Sequence, residues 1–302
     1  MTGPTLSSAA ATITAAAAAR WGGRALRAHP PGGAGRWTRT NHAGRPISLL
    51  EGPGYVAGAV LGALAGGLAA RRAGARGLGG PREPRAWPQG ASARPATGAT
   101  VLAAVGAGAF GLLDDLAGDA SSKGLRGHLG ALREGRVTTG AVKIAGLAAA
   151  GAATAYLLDR PGARGTPALR TLPATLIGGA VIAGSANLAN LLDLRPGRAL
   201  KVAIIAAAPF AILADRTAGA ALGAALGSLP DDLAGATMLG DTGANAAGSL
   251  VGAAVVARTG PVGRALVLGT LAGLTLASER VSFTTVIEST PVLRELDAWG
   301  RR

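Results

Sequence analysis

Long runs nearly free of charge alternate along the chain with short stretches crowded with arginine, proline and aspartate. The apolar runs fall near 4–19, 54–70, 97–113, 137–157, 171–192, 199–213, 217–229, 244–257 and 264–278. This pattern predicts an all-α, polytopic membrane helix bundle with nine spans as the working count, about 9–10 transmembrane helices in all. Residues 1–278 form the membrane domain on this reading, and 279–302 a cytoplasmic amphipathic tail. The first run lacks a basic leader and predicts a weak first span, not a cleaved signal peptide. Glycines recur at helical spacing within the runs, as at Gly58, Gly62 and Gly66 or at Gly248 and Gly252. Small residues let helix backbones approach closely, and in lipid such packing drives helix association.

Composition supports the membrane reading. Charged residues make up only 15% of the 302 and hydrophobic ones 49%, at a mean hydropathy of +0.35, which is too apolar for an ordinary soluble domain. No Cys is present, which removes disulfides, thiolate metal sites and cysteine nucleophiles, and three His disfavour zinc chemistry. The net charge of +14 invites nucleic acid as a partner, yet the few aromatic residues (3%) and the placement of the basic residues between apolar runs point to loop charges beside anionic lipid.

With nine spans, the loops 20–53, 114–136, 193–198 and 230–243 and the tail share one side of the membrane. That side carries 17 Lys and Arg when Lys201 is included, against 12 opposite, so the positive-inside rule makes it cytoplasmic. Half of the opposing charge sits in one loop, Arg71 to Arg94, with six Arg.

The scarce polar residues converge on the same side. Asp114, Asp115, Asp119, Asp193, Asp231, Asp232, Asp241 and Asp297 all fall there, and acids at a membrane boundary are costly unless paired or bound to a cation. The chain uses 27 Arg but only three Lys and four Asn; Lys123, Lys143, Lys201, Asn187, Asn190 and Asn245 all lie in or beside the acidic segments. Asp114-Asp115 closes the third span, and adjacent carboxylates suit Mg2+, a hard cation held by one or two carboxylates plus substrate phosphates. A solvated helix end explains such a pair equally well. Asn187, Asn190 and Asp193, spaced i, i+3 and i+6, share one stripe of the fifth helix, where an interhelical hydrogen-bond stripe is the plainer alternative. Gly240-Asp241-Thr242-Gly243 opens the eighth span, where a helix N-terminus favours an anion or its metal. Lys143 lies one to two turns inside the fourth span, within snorkelling reach of the interface.

These segments, in this order, resemble the prenyl-phosphate N-acetylhexosamine-1-phosphate transferases of glycosyltransferase family 4, over roughly residues 45–290. Asp114-Asp115 followed by Lys123-Gly-Leu looks like the family's paired-aspartate loop, Asn187 to Asp193 like its Asn-x-x-Asn-x-x-Asp motif, and Gly240-Asp241-Thr-Gly243 like its Gly-Asp-x-Gly motif. The resemblance implies a Mg2+-dependent membrane enzyme that moves a sugar 1-phosphate from a UDP-amino sugar to polyprenyl phosphate, releasing UMP, in cell-envelope glycan synthesis. It implies Asp241 as a metal ligand and Asp114 and Asp115 as catalytic carboxylates for the lipid phosphate. Lys123 and Lys143 become pyrophosphate contacts, and Asn187, Asn190 and Asp193 contacts to the nucleotide sugar. Expected partners are the two substrates and membrane lipid, with no nucleic acid and a homodimer left open.

Two features depart from the family. Asp193 is followed by Leu-Arg195-Pro196-Gly197 where a further Asp-Gly is usual, and no His follows His128. They keep a second reading open: a catalytically altered homologue that binds prenyl phosphate or serves as an envelope-assembly partner. A transporter fits less well, because no acid lies near the middle of a predicted span.

Overall fold

The computed structural model describes residues 3–41, 43–76, 93–117, 127, 130–131, 133–135, 137–159 and 168–301. Lys123, Asp119, His128 and most of the Arg71 to Arg94 loop lie outside them. Among the described residues the chain is an all-α bundle of eleven α-helices with one short hairpin. Nine long helices follow the nine apolar runs: α1 (Gly3–Ala28), α2 (Glu51–Ala75), α3 (Ala93–Ala117), α4 (Thr139–Asp159), α5 (Ala168–Leu192), α6 (Arg198–Ile212), α7 (Arg216–Leu233), α8 (Gly240–Arg258) and α9 (Pro261–Ser278). Five of them (α2, the 96–117 part of α3, α4, the 172–192 part of α5, and α9) are long and apolar enough to cross a membrane.

The ends follow local chemistry. Asp215 caps α7 by accepting the Ala218 amide at 2.9 Å, and Pro261 opens α9, where a missing N–H costs nothing. Helix α1 runs past its apolar stretch through Arg20, Arg24 and Arg27, because arginine is a good helix former.

The interior is built largely from Ala and Gly. Helix α1 packs on α2 and α7, α8 packs on α3 and α5, and α4 lies between α3 and α5. A Cβ on Gly62 would stand 2.6 Å from the Ala11 carbonyl, and one on Gly248 would stand 2.1 Å from the Ser185 carbonyl, so both seams run at backbone contact. Larger buried side chains such as Tyr55, Ile182, Leu200 and Leu250 fill the remaining space, and the Tyr55 hydroxyl donates to the Ala221 carbonyl at 3.1 Å. Buried hydroxyls that find a carbonyl avoid a desolvation penalty.

Of two smaller elements, the hairpin was not foreseen from the sequence, whereas the helical tail was. Residues 38–48 fold into an antiparallel hairpin, β1 (Thr38–Thr40) with β2 (Pro46–Ser48), and Ser48 bridges to Thr237 after α7. The tail folds back as α10 (Phe283–Ser289) and α11 (Pro291–Ala298). Asp297 takes a two-point contact from Arg198 at 2.8 and 2.9 Å, while Lys201 donates to the Leu296 and Asp297 carbonyls at 3.1 and 2.6 Å. Val292, Leu296 and Trp299 stay exposed, so α11 is amphipathic as its sequence predicts.

Candidate active site

One end of the bundle collects the polar residues. The C-termini of α1, α3, α5 and α7 and the N-termini of α2, α4, α6 and α8 meet there, tied by Arg27 to Asp231, Arg39 to the Asp115 carbonyl, and Ser48 to Thr237. The described parts of the loops assigned by span parity to one side are therefore together.

Helix α8 has no capping side chain of its own at Leu239. Its first amides are taken by a neighbour: Asp115, on the last turn of α3, accepts the Asp241 N–H at 3.0 Å and the Thr242 N–H at 2.9 Å, and the Thr242 hydroxyl at 2.6 Å. A carboxylate at a helix N-terminus satisfies orphan donors and meets the positive end of the helix dipole. Gly240 is required for this junction, because its φ is +60° and a Cβ there would lie 2.9 Å from the Asp115 carboxylate. Gly111 lets α3 come close enough, since a Cβ there would stand 2.2 Å from the Asp241 carbonyl.

With α3 and α8 locked, Asp114 and Asp241 face the same cation. The Lys143 ammonium, from the second turn of α4, donates to Asp114 Oδ2 at 2.6 Å and to Asp241 Oδ2 at 2.7 Å. Lys143 thus bridges inward between two carboxylates where snorkelling to the interface was the plainer expectation.

A cavity of about 450 Å³ opens on this cluster, lined by Arg39, Leu49, Asp114, Asp115, Asn190, Leu191, Asp193, Leu194, Met238, Gly240 and Asp241. Asn190 and Asp193 reach it; Asn187, one turn deeper on α5, does not line it. A second cavity of about 190 Å³ adjoins it, sharing Asp193, Leu194 and Met238 and adding Thr40, Asn41, Asp232 and Thr237 among its walls.

Three acids here are almost fully buried: Glu51 at 3%, Asp193 at 5% and Asp232 at 1% exposed. The Thr237 hydroxyl donates to Glu51, yet Glu51 Oε1, Asp193 Oδ2 and Asp232 Oδ2 have no hydrogen-bond partner among the described residues. Burial pushes the Asp193 carboxyl well above the usual carboxylate range, and the Asp232 charge pushes it further. Burial likewise raises Asp232 to about 7, against the pull of the Gly197 amide and of Arg301 and Lys201.

Sequence reasoning missed Glu51, Arg39 and Thr242. Thr242 sits inside the Gly-Asp-x-Gly segment, where a helix start with no Ser, Thr, Asp or Asn before it is a signal that donors are satisfied from elsewhere. Asn245, one turn along α8, is fully buried with both amide atoms unpartnered among the described residues.

Mg2+ can be tested against these donors. Among the described residues no group of three His, Cys, Asp or Glu side chains is gathered to hold a metal alone. Asp114 and Asp241 do face one cavity on one cation, which fits the mode in which one or two carboxylates share the metal with substrate phosphates. No family model matches the chain, and no curated protein matches it.

Proposed function

We propose that the protein is a membrane transferase that moves an N-acetylhexosamine 1-phosphate from a UDP-sugar to polyprenyl phosphate, releasing UMP, with the cavity on the cytoplasmic side of the plasma membrane. One observation carries the reading. Three sequence-distant segments, ending α3, ending α5 and opening α8, bring Asp114, Asn190, Asp193 and Asp241 into the wall of a single cavity, with Lys143 between two of the acids.

In this reaction a phosphate oxygen of the lipid bonds to the sugar-linked phosphorus as the bond from that phosphorus to UMP breaks. Charge builds on the transferring group, so fixed cations and positioning do most of the work. Lys143 supplies the fixed cation, and the two carboxylates hold its ammonium in place. Asp114 is the carboxylate left to orient the acceptor phosphate, because both oxygens of Asp115 are committed to α8. Asp115 is then a positioning residue that sets where Asp241 sits. Asn190 offers a neutral donor and acceptor to the nucleotide sugar. Mg2+, when bound by Asp241 and Asp114, would offset phosphate charge. A cavity at a bundle end also suits an acceptor that is a lipid.

The second reading, a relative that binds prenyl phosphate without turnover, draws on the 195–197 loop. Arg195 and Pro196 are engaged by the tail, through Glu288 at 3.5 Å and Arg301 at 2.9 Å. One assay separates the two: purified protein with Mg2+, a panel of UDP-amino sugars and polyprenyl phosphate, scored for UMP. Release that disappears in Asp241→Asn and Asp114→Asn supports the transferase. Retained lipid binding with no release from any donor supports the second reading.

A further inference from the structure

At the end of the bundle away from the acids, α1 and α2 leave an open groove of about 350 Å³, lined by Leu6 and Ala10 on α1 and by Ala65, Leu68, Ala69, Arg72, Ala73 and Arg76 on α2. We propose that this groove is a binding site for one anionic glycerophospholipid, its acyl chain along the alanines and its phosphate between Arg72 and Arg76.

The shape follows from the seam beside it. Gly66 brings α2 so close to α1 that a Cβ there would stand 2.9 Å from the Ser7 carbonyl, and the alanines next to the contact leave a shallow trough. Leu6 at 39% and Leu68 at 49% exposed form its apolar rims. From Ala65 to Arg76 the helix rises about 16 Å, close to the depth of one leaflet of a roughly 30 Å hydrocarbon core. The groove is therefore apolar over one leaflet and cationic at its boundary.

Charge selects the occupant. Arg72 and Arg76 are exposed, and no carboxylate pairs with either among the described residues. Guanidinium groups one turn apart match the paired oxygens of a phosphodiester, and a headgroup without a compensating cation keeps the attraction. A zwitterionic lipid fills the trough equally well but forfeits the charge preference. The site stands on α1 and α2 alone, so it does not depend on the reaction assigned to the acidic end.

Native mass spectrometry of the full chain in detergent, with equimolar phosphatidylglycerol and phosphatidylcholine, tests it. The expected result is a single phosphatidylglycerol adduct in preference to phosphatidylcholine. An arginine beside an anionic lipid surface is worth about fivefold in affinity, so Arg72→Ala with Arg76→Ala is expected to weaken the adduct about twenty-five-fold. Ala69→Trp, which fills the trough and leaves both charges, is expected to abolish it. Equal binding of the two lipids, or an adduct indifferent to either variant, overturns the proposal.

Discussion

The bundle pairs a cation with carboxylate at each end, and the two arrangements differ in kind. Near the Arg258 end, Arg264 meets Asp159 through two bonds, Nη1 to Oδ2 at 2.8 Å and Nη2 to Oδ1 at 2.7 Å. Its remaining donors go to the carbonyls of Ala174, Val256 and Thr259, and Thr175 donates to Asp159 at 2.8 Å. No cavity of the acidic end reaches this pair, and its hydrogen-bonding capacity is used within the protein. At the acidic end Lys143 spans two carboxylates that line a cavity, beside three buried acids each with an oxygen unpartnered among the described residues. A satisfied network secures helices, whereas an incompletely satisfied one is costly unless a ligand, ion or water completes it. That contrast marks the acidic end as the candidate site and the Arg264 pair as framework.

Lys143→Ala is expected to have the largest effect and to break the comparison if it fails. Removing one fixed charge from a phosphoryl-transfer site costs roughly a hundred- to a thousandfold in turnover. UMP release per folded molecule, measured beside a thermal unfolding scan, is expected to fall by that factor whatever Tm is lost, since Asp114 and Asp241, with side chains 16% and 23% exposed, are also left without their cation. A variant that unfolds and loses turnover together would place Lys143 with the framework.

Arg264→Ala should give the opposite pattern. Breaking a buried pair by removing one partner costs up to about 3–5 kcal/mol, and Asp159, its side chain 16% exposed, is left part-buried and uncompensated. Denaturation in detergent is expected to register that loss, with UMP release per folded molecule unchanged.

How much of this was legible in the sequence divides along the same line. The helices were readable because each is an apolar run, and the acidic end because parity brings Asp114, Asp193 and Asp241 to one side. The hairpin was not, since strands of three residues among arginines and glycines carry no alternation to detect. Glu51 was hidden for another reason: a single acid at a loop end gives no sign of being buried against Thr237, a contact between residues far apart in the chain. Lys143 was placed correctly along its helix, but side-chain direction depends on where α3 and α8 stand. That position is set by Asp115 and Gly240, through contacts that spacing alone does not encode.

Asp297→Ala sharpens the comparison from a third position. Its pair with Arg198 resembles the framework network in burial, with side chains 3% and 8% exposed, yet it secures the loop whose Arg195 and Pro196 line the smaller cavity. Burial opposes ionisation of Asp297, but the Arg198 and Arg301 guanidiniums outweigh it and hold the carboxyl below its usual range. The stability it contributes is therefore present above its ordinary pKa and lost as pH falls through the lowered value. A spin label on Leu194→Cys, the sole thiol in the chain, is expected to become more mobile in the Asp297→Ala background.

The last expected change has the opposite sign. Asp232 is buried with one oxygen unpartnered among the described residues, and its carboxyl is pushed up to about 7. A folded-state pKa raised above the unfolded one means that the folded chain holds the proton across the interval between them. Stability is then greatest below the ordinary carboxylate pKa, falls as pH rises to about 7, and levels off beyond it. One such proton contributes a slope of about 1.4 kcal/mol per pH unit inside that window. Asp232→Asn removes the titration and keeps the shape, so the variant is expected to match the parent near pH 4 and to exceed it in Tm at pH 8. A residue whose replacement stabilises the fold is kept for something other than the fold, and the framework pair at Arg264 offers no such substitution. Equal pH dependence in variant and parent would instead place the Asp232 oxygen in contact with a bound cation or water that already satisfies it.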